Sequence, residues 1–244
     1  MKKTDNTILL TGGTSGIGKA LLQKFYGLGN HVIVVSGNSK NLEELQIEFP
    51  EIVTFKCDLS KQIEVAELIR QCKEHHPDIN LLINNAGIQY NYRLDEETYP
   101  NSLIEKELRI NLLSPIEIIQ GLIPILVTKS NAAIINVSSI LAIVPKQSAP
   151  VYCASKAGLH IFTKALRYQL EDSKIKVFEI LPPLVDTPMT EGRGTGKISP
   201  EQLVEEFMSK FSRDQFEISI GKARTLRYLR RLSPALADNI LKKN

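Results

Sequence analysis

TGGTSGIG, at residues 11–18, lies between an apolar run, Thr7 to Leu10, and a segment with helical spacing, Lys19 to Tyr26. Its glycines follow a GxxxGxG pattern rather than GxGxxG. Glycines between a strand and a helix allow a tight turn and a close approach of the backbone to a ligand. They also leave the amides and the dipole of the helix N-terminus pointed at a pyrophosphate. The segment therefore indicates a dinucleotide-binding loop, although an ordinary glycine-rich turn has the same composition.

Further short apolar runs follow this loop, and segments with helical spacing separate them. The runs are Val32 to Val35, Ile52 to Phe55, Leu81 to Ile83, Ala132 to Val137 and Val177 to Leu181, with Phe216 to Ile220 as a candidate seventh strand. Strands that are apolar throughout are typical of a parallel sheet with helices on both faces. The alternation predicts an α/β fold, a doubly wound parallel sheet of the Rossmann type, in a single domain over residues 1–244. Ligands of such sheets bind beyond the carboxyl ends of the strands.

The composition fits a globular protein and argues against several other classes. Of the 244 residues, 43% are hydrophobic and 23% are charged, and the formal net charge of +3 gives no reason to expect a nucleic acid as partner. Cys57, Cys72 and Cys153 form no CxxC pattern, and His75 and His76 have no nearby ligand set, so we expect reduced thiols and no metal. We find neither a signal-peptide pattern nor an apolar run of membrane-spanning length. We therefore expect a cytoplasmic protein.

The residues after the second strand bear on the choice of dinucleotide. An acidic residue about twenty positions beyond the glycine loop would bind the ribose hydroxyls of NAD, but Ser36, Gly37 and Asn38 stand there. The missing carboxylate removes a repulsion against a 2′-phosphate. No arginine is placed to clamp that phosphate, which leaves Lys40 and Lys19 as the nearby cations. The pattern slightly favours NADP over NAD.

Two more strand ends carry candidate cofactor contacts. Asp58, followed by Leu59, could accept a hydrogen bond from the adenine amino group, or it could cap the helix that begins near Lys61. Asn84-Asn85-Ala86-Gly87 ends the fourth strand, where the asparagines could join neighbouring strands while Ala86 and Gly87 let a cofactor approach. Both residue groups are expected at the carboxyl edge of the sheet.

Tyr152 and Lys156 form a YxxxK pattern at the start of a helical segment, which places the phenol and the ammonium on one face, one turn apart. Such pairs also occur by chance in helices. Here Ser139 precedes Tyr152 by thirteen residues at the end of the fifth strand, with Ser138 as the rival serine. Together with TGGTSGIG and NNAG in this order, the pattern resembles the short-chain dehydrogenase/reductase family from Thr7 to about Met189.

The resemblance implies a carbonyl/alcohol interconversion by hydride transfer with NADP(H) or NAD(H), acting on a small-molecule substrate. Tyr152 would be the acid/base, and Ser139 would hold the substrate oxygen. A phenol with a pKa near 10 is a poor base at neutral pH, so we expect Lys156 and the oxidised nicotinamide ring to favour its anion. The candidate cofactor-binding residues are Gly12, Thr14, Ser15, Gly16, Ile17, Gly18, Ser36, Asn38, Asp58, Leu59, Asn85, Ala86, Gly87, Tyr152, Lys156, Pro182, Val185 and Thr187.

Asn111 matches the fourth catalytic position of the family, and Pro115 lies four residues later. In a helix, Pro115 cannot donate the hydrogen bond that the Asn111 carbonyl normally accepts, and its ring opens that turn. In the family this carbonyl binds a water that links the lysine to solvent. Pro115 would then help to create a proton outlet; the alternative is a simple kink between Arg109 and Ile116. The family often forms dimers or tetramers through the helices of Asn111 and Tyr152, so we expect a homodimer or homotetramer.

The segment LPPLVDT, residues 181–187, has Pro183 where the family usually has glycine, yet it leaves Val185 and Thr187 suitably placed for the nicotinamide carboxamide. Three glycines between Thr190 and Pro200 predict either a substrate lid, over residues 190–215, or a plain surface connection.

A basic helical segment is predicted over residues 222–243. An apolar stripe runs along it, Pro234 should kink it, and the stripe residues are Leu226, Leu229, Leu232 and Ala235. It is expected to pack on its own domain or on a partner subunit, with an interfacial membrane helix as the alternative. With VDTPM at residues 185–189, this tail resembles the bacterial family branch encoded beside genes for D-alanylation of teichoic acids.

Overall fold

Seven parallel strands form one sheet in the order β3-β2-β1-β4-β5-β6-β7 in the computed structural model, which describes residues 1–95 and 101–242. The strands are β1 (Thr7–Thr11), β2 (His31–Ser36), β3 (Val53–Lys56), β4 (Leu81–Asn84), β5 (Ala132–Val137), β6 (Ile175–Leu181) and β7 (Glu217–Ser219). This confirms the predicted fold class. The order reverses between β1 and β4, which is where ligands of such sheets bind.

Helices cover both faces of the sheet. They are α1 (Gly16–Tyr26), α2 (Ser39–Glu48), α3 (Gln62–His75), α4 (Asn101–Leu108), α5 (Ser114–Leu126), α6 (Pro150–Gln169), α7 (Pro200–Phe211), α8 (Lys222–Leu232) and α9 (Pro234–Leu241). Neighbouring strand residues point to opposite layers. Ile8 and Leu10 join the core under α1 and α7, whereas Leu9 joins the core under α3 and α5. Burial on both faces explains the uninterrupted apolar strands, since each such side chain contributes about 1.5–3 kcal/mol.

One continuous helical segment runs from Asn101 to Leu126 and contains a π-helical turn at Arg109–Leu113. Pro115 follows this turn, and the Ser114 amide donates to the Arg109 carbonyl, five residues back. The opened turn agrees with the predicted effect of the proline. By length and composition this segment could cross a membrane, which corrects the expectation that no apolar run is long enough. Its Ile118, Leu122 and Leu126 are buried in the core, as in a core helix of a globular domain.

The predicted lid, residues 190–215, divides into two parts. Gly192, Gly194 and Gly196 lie in a loop and have positive φ angles. The following helix α7 begins with a capping box, in which Ser199 and Gln202 satisfy each other's backbone amides, and its apolar face is buried in the core. Residues 200–211 of the predicted lid are thus a packed helix and residues 190–199 precede it, while the lid function itself stays a prediction.

The basic tail forms α8 and α9, which meet at Ser233 and Pro234. Arg224, Arg227 and Arg230 pair with the acidic groups Glu206, Glu217 and Asp238. The Gln147 amide donates to the Lys242 carbonyl at 3.1 Å, so the end of α9 contacts the loop before α6. The pairs of Arg224 and Arg227 hold α8 against its own domain, whereas the Arg230–Asp238 pair joins α8 to α9. Lys243 lies outside the described residues.

Candidate active site

A cavity of about 1020 Å³ opens at the carboxyl edge of the sheet. It reaches from the glycine loop and the end of β2 to Ser139, Tyr152 and the tail helices. Every predicted cofactor-binding residue lines it except Asn38. The Asn38 carboxamide instead caps α2, accepting a hydrogen bond from the Asn41 amide at 3.2 Å. Asn38 thus lies outside the cavity lining, and its role as a cofactor contact stays a prediction.

Two glycines of the loop, Gly12 and Gly18, have no room for a side chain. Gly12 has a φ of +68°, and a Cβ there would lie 2.8 Å from the Ala86 Cα. A Cβ on Gly18 would lie 2.0 Å from the Gly12 carbonyl oxygen. Ser15, the N-cap of α1, makes no side-chain hydrogen bond to the first turn. Within the described chain, this leaves the N-terminal amides of α1 facing the cavity for an anionic ligand, so the residues present fit a dinucleotide pyrophosphate.

The asparagines after β4 join neighbouring strands, as expected. Asn84 donates to the Asn136 carboxamide of β5 at 2.9 Å. Asn85 donates to the carbonyls of Thr11 and Gly12 at 3.1 and 3.0 Å. These bonds fix the mouth of the cavity beside the glycine loop.

The adenosine end of the cavity is weakly charged. Asp58 accepts hydrogen bonds from the Ser60 amide and hydroxyl at 2.9 and 2.7 Å. Burial acts to raise the pKa of Asp58, but these bonds, together with the charges of Lys61 and Lys106, outweigh it and lower the pKa. Asp58 thus closes a turn before α3, whose N-cap is Lys61, and does not cap that helix. Lys19 and Lys40 pair with Glu48 and Glu44, and neither lines the cavity.

The proposed catalytic side chains meet at the other end. Helix α6 presents Tyr152 and Lys156, with the Lys156 Nζ atom 5.9 Å from the centroid of the Tyr152 ring. Lys156 donates to the Val137 carbonyl at 2.8 Å, and the Ser139 side chain is hydrogen-bonded to the Tyr152 phenol. All three residues are buried. The end of β5 and the first turns of α6 therefore build one small polar cluster.

Asn111 is fully buried and does not line the cavity. Its carboxamide accepts from the Ile88 amide at 2.9 Å and donates to the Ile88 carbonyl at 2.8 Å and the Ser155 hydroxyl at 3.1 Å. The side chain therefore holds the chain after Gly87 against α6, a role that the sequence did not reveal. Since Pro115 has no N–H, the Asn111 carbonyl lacks its usual α-helical donor.

Burial shifts the pKa values of Tyr152 and Lys156 in opposite directions. It raises the pKa of Tyr152 to about 12, an effect partly offset by the hydrogen bond from Ser139. It lowers the pKa of Lys156 to about 8, while the charge of Glu179 acts in the opposite direction. Burial thus opposes formation of the phenolate, and the expected support of that anion by Lys156 and the oxidised nicotinamide ring stays a prediction. At neutral pH the phenol is protonated and can donate its proton.

A buried hydrogen-bond network that no sequence motif predicts lies beneath this pair. Glu179 of β6 accepts a hydrogen bond from the Ser138 hydroxyl at 2.5 Å, and its other oxygen lies 2.8 Å from the His160 Nδ1 atom. The hydrogen bond to Glu179 raises the pKa of His160. Ser138 is thereby committed to Glu179, which leaves Ser139 as the serine at the phenol. The sequence signal for this network is Glu179, a glutamate between apolar residues of β6.

This network extends to a third acidic residue. Ligand atoms of His160, Glu179 and Glu217 lie within 4.8 Å of one another, a spacing that could hold a metal ion. However, Glu217 is paired with Arg227. Protein side chains therefore hydrogen-bond to both carboxylates, Arg227 to Glu217 and both Ser138 and His160 to Glu179.

The loop after β6 contacts both ends of the cavity. The Pro182 carbonyl accepts from the Ile140 amide at 3.0 Å, beside Ser139. A Cβ on Gly16 would lie 2.8 Å from the Thr187 Cγ2 atom, so this loop contacts the glycine loop. Pro182, Pro183, Val185 and Thr187 line the cavity between them.

Comparison with known proteins identifies the family. The model described as short chain dehydrogenase matches residues 6–197. The chain is 35% identical over 233 residues to the uncharacterized oxidoreductase DltE of Bacillus subtilis (strain 168). The aligned residues cover 93% of this chain and 92% of that relative.

Solved structures share the fold. A short chain dehydrogenase from Burkholderia cenocepacia J2315 in complex with NADP has a TM-score of 0.88 at 24% identity, over 100% of both chains. A short chain dehydrogenase/reductase from Burkholderia phymatum in complex with NAD has a TM-score of 0.81 at 19% identity, over 95% of this chain and 96% of that one. On the family model and the bacterial relative, this chain belongs to the short-chain dehydrogenase/reductase family of oxidoreductases.

Proposed function

We propose that this protein is an NAD(P)(H)-dependent oxidoreductase that interconverts a carbonyl and an alcohol, with Tyr152 as the acid/base. One observation carries the proposal. The cavity joins a glycine-rich helix N-terminus at one end to the Ser139–Tyr152–Lys156 cluster at the other. The cofactor, when bound, supplies or accepts the hydride and, in its oxidised form, adds a positive charge beside the phenol.

The protein groups handle the substrate oxygen and its proton. Ser139 and Tyr152 donate hydrogen bonds to the carbonyl oxygen and fix its carbon within the cavity. During reduction Tyr152 gives its proton to that oxygen as the carbon accepts hydride, and oxidation reverses both transfers. Lys156, held by the Val137 carbonyl, stabilises the phenolate that reduction leaves behind. The cluster thus provides acid/base chemistry at a single oxygen.

We favour NADP(H) over NAD(H). The end of β2, which faces the adenosine region, has Ser36 and Gly37 on the cavity wall and no carboxylate. A 2′-phosphate would meet no carboxylate from this strand end, and Asp58, at the same end of the cavity, is held by Ser60. Lys19 and Lys40 are engaged by glutamates, so the support comes from missing repulsion rather than from a clamp.

Self-association through α5 and α6 is also part of the proposal. Helix α6 exposes Ile161 and Tyr168, and Leu113 is exposed at the end of the π-helical turn. Apolar side chains on adjoining helices suit a symmetric contact with a second copy. We further propose a cytoplasmic location, with which the three buried free thiols agree.

The test begins with fluorescence titrations of NADPH and NADH, followed by a screen of aldehydes, ketones and alcohols for a change in absorbance of the reduced nicotinamide. Tyr152→Phe should retain cofactor affinity and lose at least about a thousandfold in turnover, because it removes the proton donor. Tyr228→Phe, a change of an exposed tyrosine of α8 that does not line the cavity, is the control. Turnover by Tyr152→Phe near that of the unaltered protein would contradict the assigned role.

A further inference from the structure

The cavity continues beyond Tyr152 into a region that the hydride-transfer chemistry does not explain. Its wall comes from the turn after Ser139, the loop of residues 190–199 and both tail helices. Apolar side chains dominate this wall: Leu141, Leu184, Met189, Leu226, Leu229 and Leu241. The region is therefore shaped for a substrate with an apolar body.

The charged side chains of the same wall are of one sign. Among the described cavity-lining residues the only carboxylate is Asp58, which lies at the adenosine end and is held by Ser60. Lys146, Arg193 and Lys222 line the cavity at the opposite end. Electrostatic attraction in a low-dielectric cleft of this kind selects anions.

Lys146 and Arg193 lie close enough for the charge of Arg193 to act on Lys146. The Lys146 amide contacts the Cys153 sulfur at 3.5 Å, so this loop lies next to Tyr152. Lys146 is partly buried, and both burial and the nearby Arg193 charge lower the pKa of its ammonium. Two basic side chains thus line the same part of the cavity.

Neither cation has a carboxylate partner within the described residues. The Nη1 atom of Arg193 is buried and lacks any hydrogen-bond partner there. The tail arginines Arg224, Arg227 and Arg230 are each paired with an acidic side chain. A buried guanidinium nitrogen normally donates to a hydrogen-bond acceptor. The Arg193–Lys146 pair therefore forms a binding site for an anion.

We propose that the substrate is an oxyanion: a carbonyl or alcohol compound whose carboxylate or phosphate binds Lys146 and Arg193 while its reacting carbon lies at Ser139 and Tyr152. The apolar segment between the two ends contacts Leu226 and Leu229 of α8. A guanidinium suits this role because it binds carboxylate or phosphate through two parallel hydrogen bonds. This inference rests on the proposed function, since it assigns the substrate class of the same site.

The turnover test uses para-carboxybenzaldehyde, para-formylphenyl phosphate and their neutral counterpart para-tolualdehyde, each with NADPH and with NADH. We expect kcat/KM for an anionic aldehyde to exceed that for the neutral one by about tenfold or more. Comparison of the carboxylate with the phosphate identifies which oxyanion the site prefers. Arg193→Gln and Lys146→Gln should each reduce the anionic-to-neutral ratio about tenfold, and Arg193→Lys should restore part of it. Arg213→Gln, a change of an exposed arginine away from the cavity, should leave the ratio unaltered.

A binding measurement tests the anion-binding site independently of turnover. Binding of benzoate and phenyl phosphate to the NADPH-saturated protein, compared with toluene, is measured by thermal shift and isothermal calorimetry. Anion binding that weakens about tenfold in Arg193→Gln supports the subsite even if no aldehyde is turned over, in which case the proposed function fails alone. Equal behaviour of anionic and neutral probes, including no detectable binding of either, overturns the inference. So does a loss in Arg193→Gln that falls on NADPH affinity, because Arg193 would then serve the cofactor.

Discussion

At the scale of single residues, the cofactor preference depends on the end of β2. Ser36 lines the cavity there, and a carboxylate at this position would repel a 2′-phosphate and accept hydrogen bonds from ribose hydroxyls. Ser36→Asp should therefore weaken NADPH binding about tenfold or more and strengthen NADH binding. Fluorescence titration of both cofactors measures the change, with Ser36→Asn as the uncharged control. An equal effect of both substitutions would remove the electrostatic explanation.

Glu179 should influence Lys156 through its charge. Burial lowers the pKa of Lys156, and Glu179 opposes that change. Without the carboxylate the lysine pKa falls below about 8, so the alkaline limb of the pH profile should move to lower pH in Glu179→Gln, by about one pH unit. The measurement is kcat/KM against pH for a substrate found in the screen. Glu171→Gln, an exposed change, is the control, and an unmoved limb in Glu179→Gln would contradict the coupling.

Glu107 makes stability depend on pH. It is fully buried, one oxygen accepts from the Tyr90 amide at 3.1 Å, and burial raises its pKa from 4.5 to about 7. The folded state holds this proton more tightly than the unfolded chain, so its favourable contribution is complete below about pH 4.5 and is lost as the pH rises through 7.

Glu107→Gln should consequently stabilise the protein above neutral pH, by up to about 3 kcal/mol, and have less effect at about pH 5. Urea unfolding at both pH values measures the free energy difference. A benefit that is the same at both values would mean that packing, rather than ionisation, is responsible.

At the scale of elements, α9 should matter for substrate more than for cofactor. Ile240 and Leu241 line the substrate end of the cavity, whereas the glycine loop lies at the other end. Ending the chain at Ser233 should raise the KM for an aldehyde substrate about tenfold, because apolar contacts worth about 1 kcal/mol or more are lost. The Kd of NADPH should change less than about twofold, since its predicted contacts lie elsewhere. Equal losses in both would indicate that α9 supports the whole domain.

The sequence patterns predict the strands and helices better than they predict which side chains contact one another. β5 was predicted with its observed bounds, and β6 begins two residues earlier, at Ile175, because its apolar core sets the strand while tertiary pairing sets its ends. The Ser138–Glu179–His160 network joins β5, β6 and α6, so no local pattern could reveal it. Likewise, α7 follows a glycine-rich loop but is buried against the sheet, which only the packing of its apolar face shows.

At the scale of the whole molecule, the exposed apolar residues of α6 predict assembly. Ile161 is 63% exposed on the face that we propose as the subunit contact. Ile161→Glu would place like charges opposite each other across a twofold axis, so the protein should become monomeric. Light scattering after size exclusion measures the mass. Ile47→Glu, a change of a still more exposed isoleucine on α2, should leave the assembly intact, and a monomeric unaltered protein would contradict the proposed interface.

The π-helical turn at Arg109–Leu113 also determines which neighbours its helix can have. Each residue of an α-helix advances the side-chain direction by about 100°, and the wider turn holds one more residue than an α-helical turn. Side chains before the turn are therefore out of phase by about that angle with those after it. Helix α5 packs against α3, whereas α4 packs against α6. One additional residue lets a single continuous helix turn its apolar stripe from the sheet-covering layer to the helix that carries Tyr152.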